Sequence, residues 1–185
     1  MSNASTYLSS GGAAIKSVQR GTTTPTAVST AVTISAVDVS RSVVRARDIR
    51  LAYVSTLFSQ LHVELTDSTT LTVFLLGYPS TTGGTLSWEV VEYAAPVKSI
   101  QHVSRTMFSV AVDGYQDAAI SAVDPAKSIV EFRGLYGQMN GGRSAATCVI
   151  TGALTSSTNL RVFNRGADTT PASSPTAYFT IVEFF

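Results

Sequence analysis

One cysteine, two histidines, one tryptophan and a charged fraction of 14% leave this 185-residue chain short of the side chains most catalysis uses. The lone Cys148 excludes an intramolecular disulfide, and its setting in Thr147-Cys148-Val149-Ile150 reads as a buried, inert thiol. His62 and His102 have no ligand-type spacing to each other or to the cysteine, so no metal and no cofactor is expected. Apolar runs such as 73–76 are far below membrane-spanning length, so no membrane insertion is expected. The first residues lack a charged stretch followed by an apolar core, and the expectation is a soluble chain without a secretion signal. Thirteen basic residues face twelve acidic ones. Divided after Ala95 the halves hold 6 and 6, then 7 and 6. Neither half has the basic excess that phosphate-driven binding needs, which argues against a nucleic-acid partner. Gly-x-Ser-x-Gly is absent, and no glycine pair opens a helix with Lys-Ser or Lys-Thr.

What the chain does contain is an ordered internal repeat. Ile15-Lys16-Ser17-Val18-Gln19 returns as Val97-Lys98-Ser99-Ile100-Gln101. Ser35-Ala36-Val37-Asp38 returns as Ser121-Ala122-Val123-Asp124, and the segment 65–74 as 154–163. Val91-Glu92-Tyr93 closes the first half as Val182-Glu183-Phe184 closes the second. The offset climbs from 82 through 86 and 89 to 91, as it would if strands were kept while loops lengthened. Residues 1–13, rich in Ser, Gly and Ala with little to bury, are expected to form a flexible N-terminal arm, and the repeat predicts a first module over 14–95 and a second over 96–185. Modules of this size bury little surface alone, so each is expected to lean on its sibling or on other chains.

The periodicity is that of strands. Alternation predicts them at 31–39, 57–65, 71–76 and 86–93, and again at 119–124, 128–132, 145–151, 160–164 and 177–184. Turn residues fall between them at 66–70, 78–84, 139–142 and 166–175. Residues 41–57 could pass for a short helix, but β-branched content and the glycines of the matching stretch argue against it. The predicted fold is all-β: two tandem antiparallel β-sandwich modules related by internal duplication.

Candidate sites are few. Glu92 and Glu183 recur at equivalent positions, and a residue holding a strand end would be kept in both halves while a catalytic one need appear once. Asp38 and Asp124 each follow the Ser-Ala-Val block, where an aspartate accepts backbone N–H groups and starts a turn. Arg41, Arg45, Arg47 and Arg50 cluster around Asp48, as on an edge strand guarded by charge or a surface docking an acidic partner. Tyr78, Tyr115 and Tyr136 sit in or beside predicted loops, where a ring could stack on a sugar.

The repeated blocks resemble those of small structural proteins of tailed bacteriophages, from tails, collars or fibres. The resemblance rests on Ile-Lys-Ser-Val-Gln-Arg-Gly at 15–21, on Ile-Ser-Ala-Val-Asp at 34–38 and 120–124, and on the closing Val-Glu-Tyr or Val-Glu-Phe. It spans nearly the whole chain after residue 14, although the second half has His102-Val103 where the first has Arg20-Gly21. Some of those proteins form a six-stranded sandwich similar to H-type lectins and assemble as trimers. The resemblance implies a non-enzymatic virion component: a tail, collar, fibre or capsid-decoration protein working through a homo-oligomer, a trimer, and contacts with other virion proteins. It makes Trp88 with Val90, and Phe179 with Ile181, candidates for either the module core or the assembly contact, with Arg45, Arg47 and Arg50 as further contact candidates. The alternative is a carbohydrate-recognising receptor-binding protein that meets a host-surface glycan. A hydrolase of surface polysaccharide is disfavoured because no unique acid pair stands out.

Overall fold

Strands this short are not stable alone, and most of the ladders they form join segments far apart in the chain. In the computed structural model, residues 15–50, 60–76, 85–95, 97–107, 114–136, 150–164 and 176–185 are described. The predicted arm at 1–13, Cys148 and Tyr78 lie outside them. Among the described residues twelve strands run in order β1 (Ile15–Thr23), β2 (Ser29–Thr33), β3 (Ser42–Arg50), β4 (Gln60–Leu65), β5 (Thr70–Leu76) and β6 (Thr85–Tyr93). They continue with β7 (Ser99–Thr106), β8 (Tyr115–Ala119), β9 (Ser128–Tyr136), β10 (Ile150–Ser156), β11 (Asn159–Asn164) and β12 (Thr176–Glu183). The fold is all-β, and its ladders are antiparallel.

Strand order recurs between the halves. In the first, β1-β6-β3 faces β2-β5-β4; in the second, β7-β12-β9 faces β8-β11-β10. Ile34, Leu61, Val63, Leu71 and Val73 from one layer meet Val44, Leu86, Trp88 and Val90 from the other. The second interior is built alike, with Leu160 and Val162 against Ala177, Phe179 and Ile181. The central strands supply the large rings, and each ring lies over a glycine. A Cβ at Gly21 would collide with the Trp88 indole, and one at Gly152 with the Phe179 ring.

The halves do not stay separate. The edge of β4 meets the edge of β9 at His62↔Gly134, fusing two three-stranded sheets into one of order β2-β5-β4-β9-β12-β7. Sheets β1-β6-β3 and β10-β11-β8 remain three-stranded. A third apolar cluster covers the join, with Val43, Val91 and Tyr93 packed with Val97 and Val182, and with Phe184 beside them.

Two predicted strands are displaced: the one predicted at 31–39 is β2 at Ser29–Thr33, and the one predicted at 119–124 is β8 at Tyr115–Ala119, which shares only Ala119 with it, so the Ser-Ala-Val-Asp blocks lie outside the ladders. There the backbone passes from one sheet to the facing one, with Val37 N–H donating to the Ser68 carbonyl and Val123 N–H to that of Ser157, each at 2.8 Å. Alternation in those blocks places Val37 and Val123 in the interiors without a strand around them. Residues 42–50 are strand β3, as the β-branched content indicates.

Candidate functional site

The recurring sequence blocks converge on one point in each half. Glu92, on β6, is 1% exposed. Its Oε1 accepts from Lys16 Nζ at 2.8 Å and from Asp38 N–H at 3.0 Å, and its Oε2 accepts from the Ser17 hydroxyl at 3.1 Å. Glu183 repeats this with Lys98 Nζ at 2.7 Å, Asp124 N–H at 2.8 Å and Ser99 at 3.3 Å. Gln19 clamps the backbone of Ser35 through both amide atoms, and Gln101 does the same to Ser121. Asp38 then accepts from Ser40 N–H, and Asp124 from Ala126 N–H, each starting a one-turn 3-10 helix. The Lys-Ser-x-Gln, Ser-Ala-Val-Asp and Val-Glu blocks, distant in sequence, thus form a single hydrogen-bonded knot twice over. Lysine and the backbone N–H hold each glutamate below the usual carboxylate range. An anion with its acceptor positions already engaged is poorly suited to donating a proton near neutral pH.

Trp88, Val90, Phe179 and Ile181 lie in the two interiors rather than on a contact surface. On a strand successive side chains alternate faces, so their immediate neighbours Val91 and Val182 are the ones that meet between the halves. Trp88 also donates its indole N–H to Thr23 Oγ1 at 3.0 Å.

Arg45 does bridge the halves. Its guanidinium reaches Glu89 at 2.7 Å and Glu131, on β9, at 2.7 Å. Arg20 binds the other oxygen of Glu89. Burial alone would raise the Glu89 pKa, but the two arginines outweigh it and the group sits below its ordinary value. Arg47 stands 4.0 Å from Glu89 with its side chain 57% exposed. Arg50 pairs through its backbone with Thr85, and its side chain lies outside the described residues. Arg41 turns back to Asp38 at 2.9 Å.

The sequence did not single out the cluster at the β4–β9 seam. His62 is stacked between Phe74, at 4.5 Å between centroids, and Tyr178, at 4.2 Å, with all three rings nearly parallel. Register explains the stack, because Phe74, His62, Gly134 and Tyr178 lie opposite one another on successive strands. Gly134, at φ +135°, is required there: a Cβ would strike the Leu61 carbonyl and His62 Cα. Arg133, the extra residue of a β-bulge on β9, is buried and reaches Glu64 at 3.4 Å while its guanidinium lies 5.9 Å from the Tyr178 ring. Burial, then the Arg133 charge, lowers the His62 pKa to about 4, so the ring is neutral at physiological pH. His102, on β7, is lowered by the same two causes and contacts the Thr180 hydroxyl at 3.1 Å. The available signal was a glycine inside a strand pattern, which marks a bulge or a close backbone approach.

Tyr115, at 50% exposure, has one ring face under the Arg161 guanidinium at 3.8 Å, and Arg161 is held by both oxygens of Asp117. Tyr136 is the last residue of β9, and its side chain lies outside the described residues. Among the described residues no three His, Cys, Asp or Glu side chains gather as a metal site would require, and no helix is long and apolar enough to cross a membrane. No family model, curated protein or solved structure matches the chain.

Proposed function

We propose that this chain is a non-enzymatic structural component of a bacteriophage virion, in a tail, collar, fibre or capsid-decorating position. It would work by assembling as a homo-oligomer, a trimer, against other virion proteins. The observation that carries the reading is the twice-built knot. The polar residues that recur in sequence, Glu92 and Glu183 above all, are spent on lysine, serine and backbone partners within each half. A small all-β unit copied once and retained in both positions would keep such residues for architecture. Two such units per chain in a trimer give six related sandwiches, which suits a part joining threefold and sixfold neighbours.

The sugar-binding alternative has Tyr115 in its favour as an exposed ring, but Arg161 occupies one face, leaving less of it for stacking. Sedimentation of the purified chain at micromolar concentration tests the assembly reading, which expects a trimer and fails on a monomer. Imaging particles that carry a tagged copy tests the virion assignment, which fails if the tag is absent from them.

A further inference from the structure

The outward N–H and C=O groups of an edge strand are a template for another strand, so an edge is either guarded or used. Among the described residues the sheet edges are β1 and β3, β8 and β10, and β2 and β7. Most carry a guard. β1 has Lys16 and Arg20, β7 has Arg105, and β8 has Asp117. β2 has only five residues. β3 lies against the second half, with Val43 and Val44 each 1% exposed and Arg45 bound to Glu131. β10 has none of these devices. It reads Ile-Thr-Gly-Ala-Leu-Thr-Ser, without charge or proline, and among the described residues it pairs with β11 alone.

Both faces of β10 suit a like partner. Towards the sandwich, Ile150 and Leu154 pack against the second interior but stay partly exposed. On the other face Thr151 and Ala153 are exposed, where β4 has His62 and Glu64. Pairing with β11 is regular over 150–154 and shifts only beyond Leu154. That regular stretch is self-complementary. Turned about an axis through Gly152, it sets Ile150 against Leu154, Thr151 against Ala153, and Gly152 against itself. Apolar meets apolar, small meets small, and no like charges come opposite one another, as they would where a charged edge pairs with itself.

We propose that β10 is a self-association edge, pairing antiparallel with β10 of a second copy about a two-fold axis at Gly152. The product is a six-stranded sheet of order β8-β11-β10-β10-β11-β8. A second copy is the occupant because a two-fold contact brings the same strand to itself in antiparallel sense, and this strand matches its own reverse. The pairing covers what remains exposed of Ile150 and Leu154 and joins the two second-half interiors into one apolar layer. It goes beyond the trimer reading and does not depend on it: it joins two chains into a dimer, or two trimers into a hexamer.

The test uses Cys148→Ser chains, which lack the native thiol. Thr151→Cys and Ala153→Cys chains, mixed dilute and then concentrated, are expected to form disulfides between unlike chains under mild oxidation. Directly opposed Cα atoms stand about 4.5–5.5 Å apart, within disulfide reach. Either variant alone places its thiols diagonally, about 7–8 Å apart, and should link no more than the parent. Both positions are exposed. Thr151→Lys/Ala153→Lys sets lysine opposite lysine and is expected to halve the sedimenting mass, with an unchanged far-UV circular dichroism spectrum verifying the fold. If the mixture links no better than its components, or the lysine variant sediments like the unaltered chain, the edge pairing is overturned. A trimer in both proteins would then leave the assembly reading standing. Two copies falling to one supports the edge and overturns the trimer, and six falling to three supports both. An unaltered chain that is monomeric at tens of micromolar overturns both.

Discussion

Acidification should weaken the protein first at the seam, because His62 cannot accept a proton there cheaply. The ring lies between Phe74 and Tyr178, with Arg133 from β9 and Glu64 on its own strand as the charged groups nearby. In the unfolded chain it titrates near 6.5, in the fold near 4. Between those values the unfolded state binds the proton and the folded state does not. Stability is therefore undiminished above pH 6.5, falls as pH drops towards 4, and loses nothing further from this group below that. Each pKa unit corresponds to about 1.4 kcal/mol, so a fall from 6.5 to about 4 in this buried ring corresponds to a loss on the order of 3–4 kcal/mol. His62→Phe keeps a flat ring in the stack and removes the titration. Urea unfolding midpoints at pH 7.5, 6 and 4.5 should converge or cross, with the variant losing less than the unaltered chain. His102 and the carboxylates titrate in both proteins and cancel in the comparison. Parallel loss in the two proteins across that range would refute the reasoning.

Two further outcomes follow from the geometry. Gly134→Ala adds a Cβ at φ +135° against the β4 backbone, and should cost about 1–3 kcal/mol in chemical denaturation, with faster hydrogen exchange in β4 and β9; a variant as stable as its parent would mean the strands do not meet there. Glu92→Gln and Glu183→Gln should each destabilise at pH 7, since both carboxylates have lowered pKa values and their stabilisation is present above the unfolded value and lost as pH falls through the folded one. The deficit of each variant should shrink on acidification to pH 3, and a deficit independent of pH would point to packing instead of charge.

Much of the architecture was legible in residue order. Period-two alternation and turn residues specify short antiparallel strands, because side chains on a strand alternate between interior and solvent whatever the partner. The recurrence of Lys16, Ser17, Gln19, Asp38 and Glu92 at Lys98, Ser99, Gln101, Asp124 and Glu183 marked the residues that form each knot. Alternation could not say which face of β6 and β12 turns inward, since Trp88 and Val91 are both apolar and both buried, one in a sandwich and one between the halves. That choice depends on what lies opposite, as do the passage of residues 35–38 between sheets and the burial of His62. Local sequence sets the period and the turns; which edges meet is decided by packing between segments some seventy residues apart, as at His62 and Gly134.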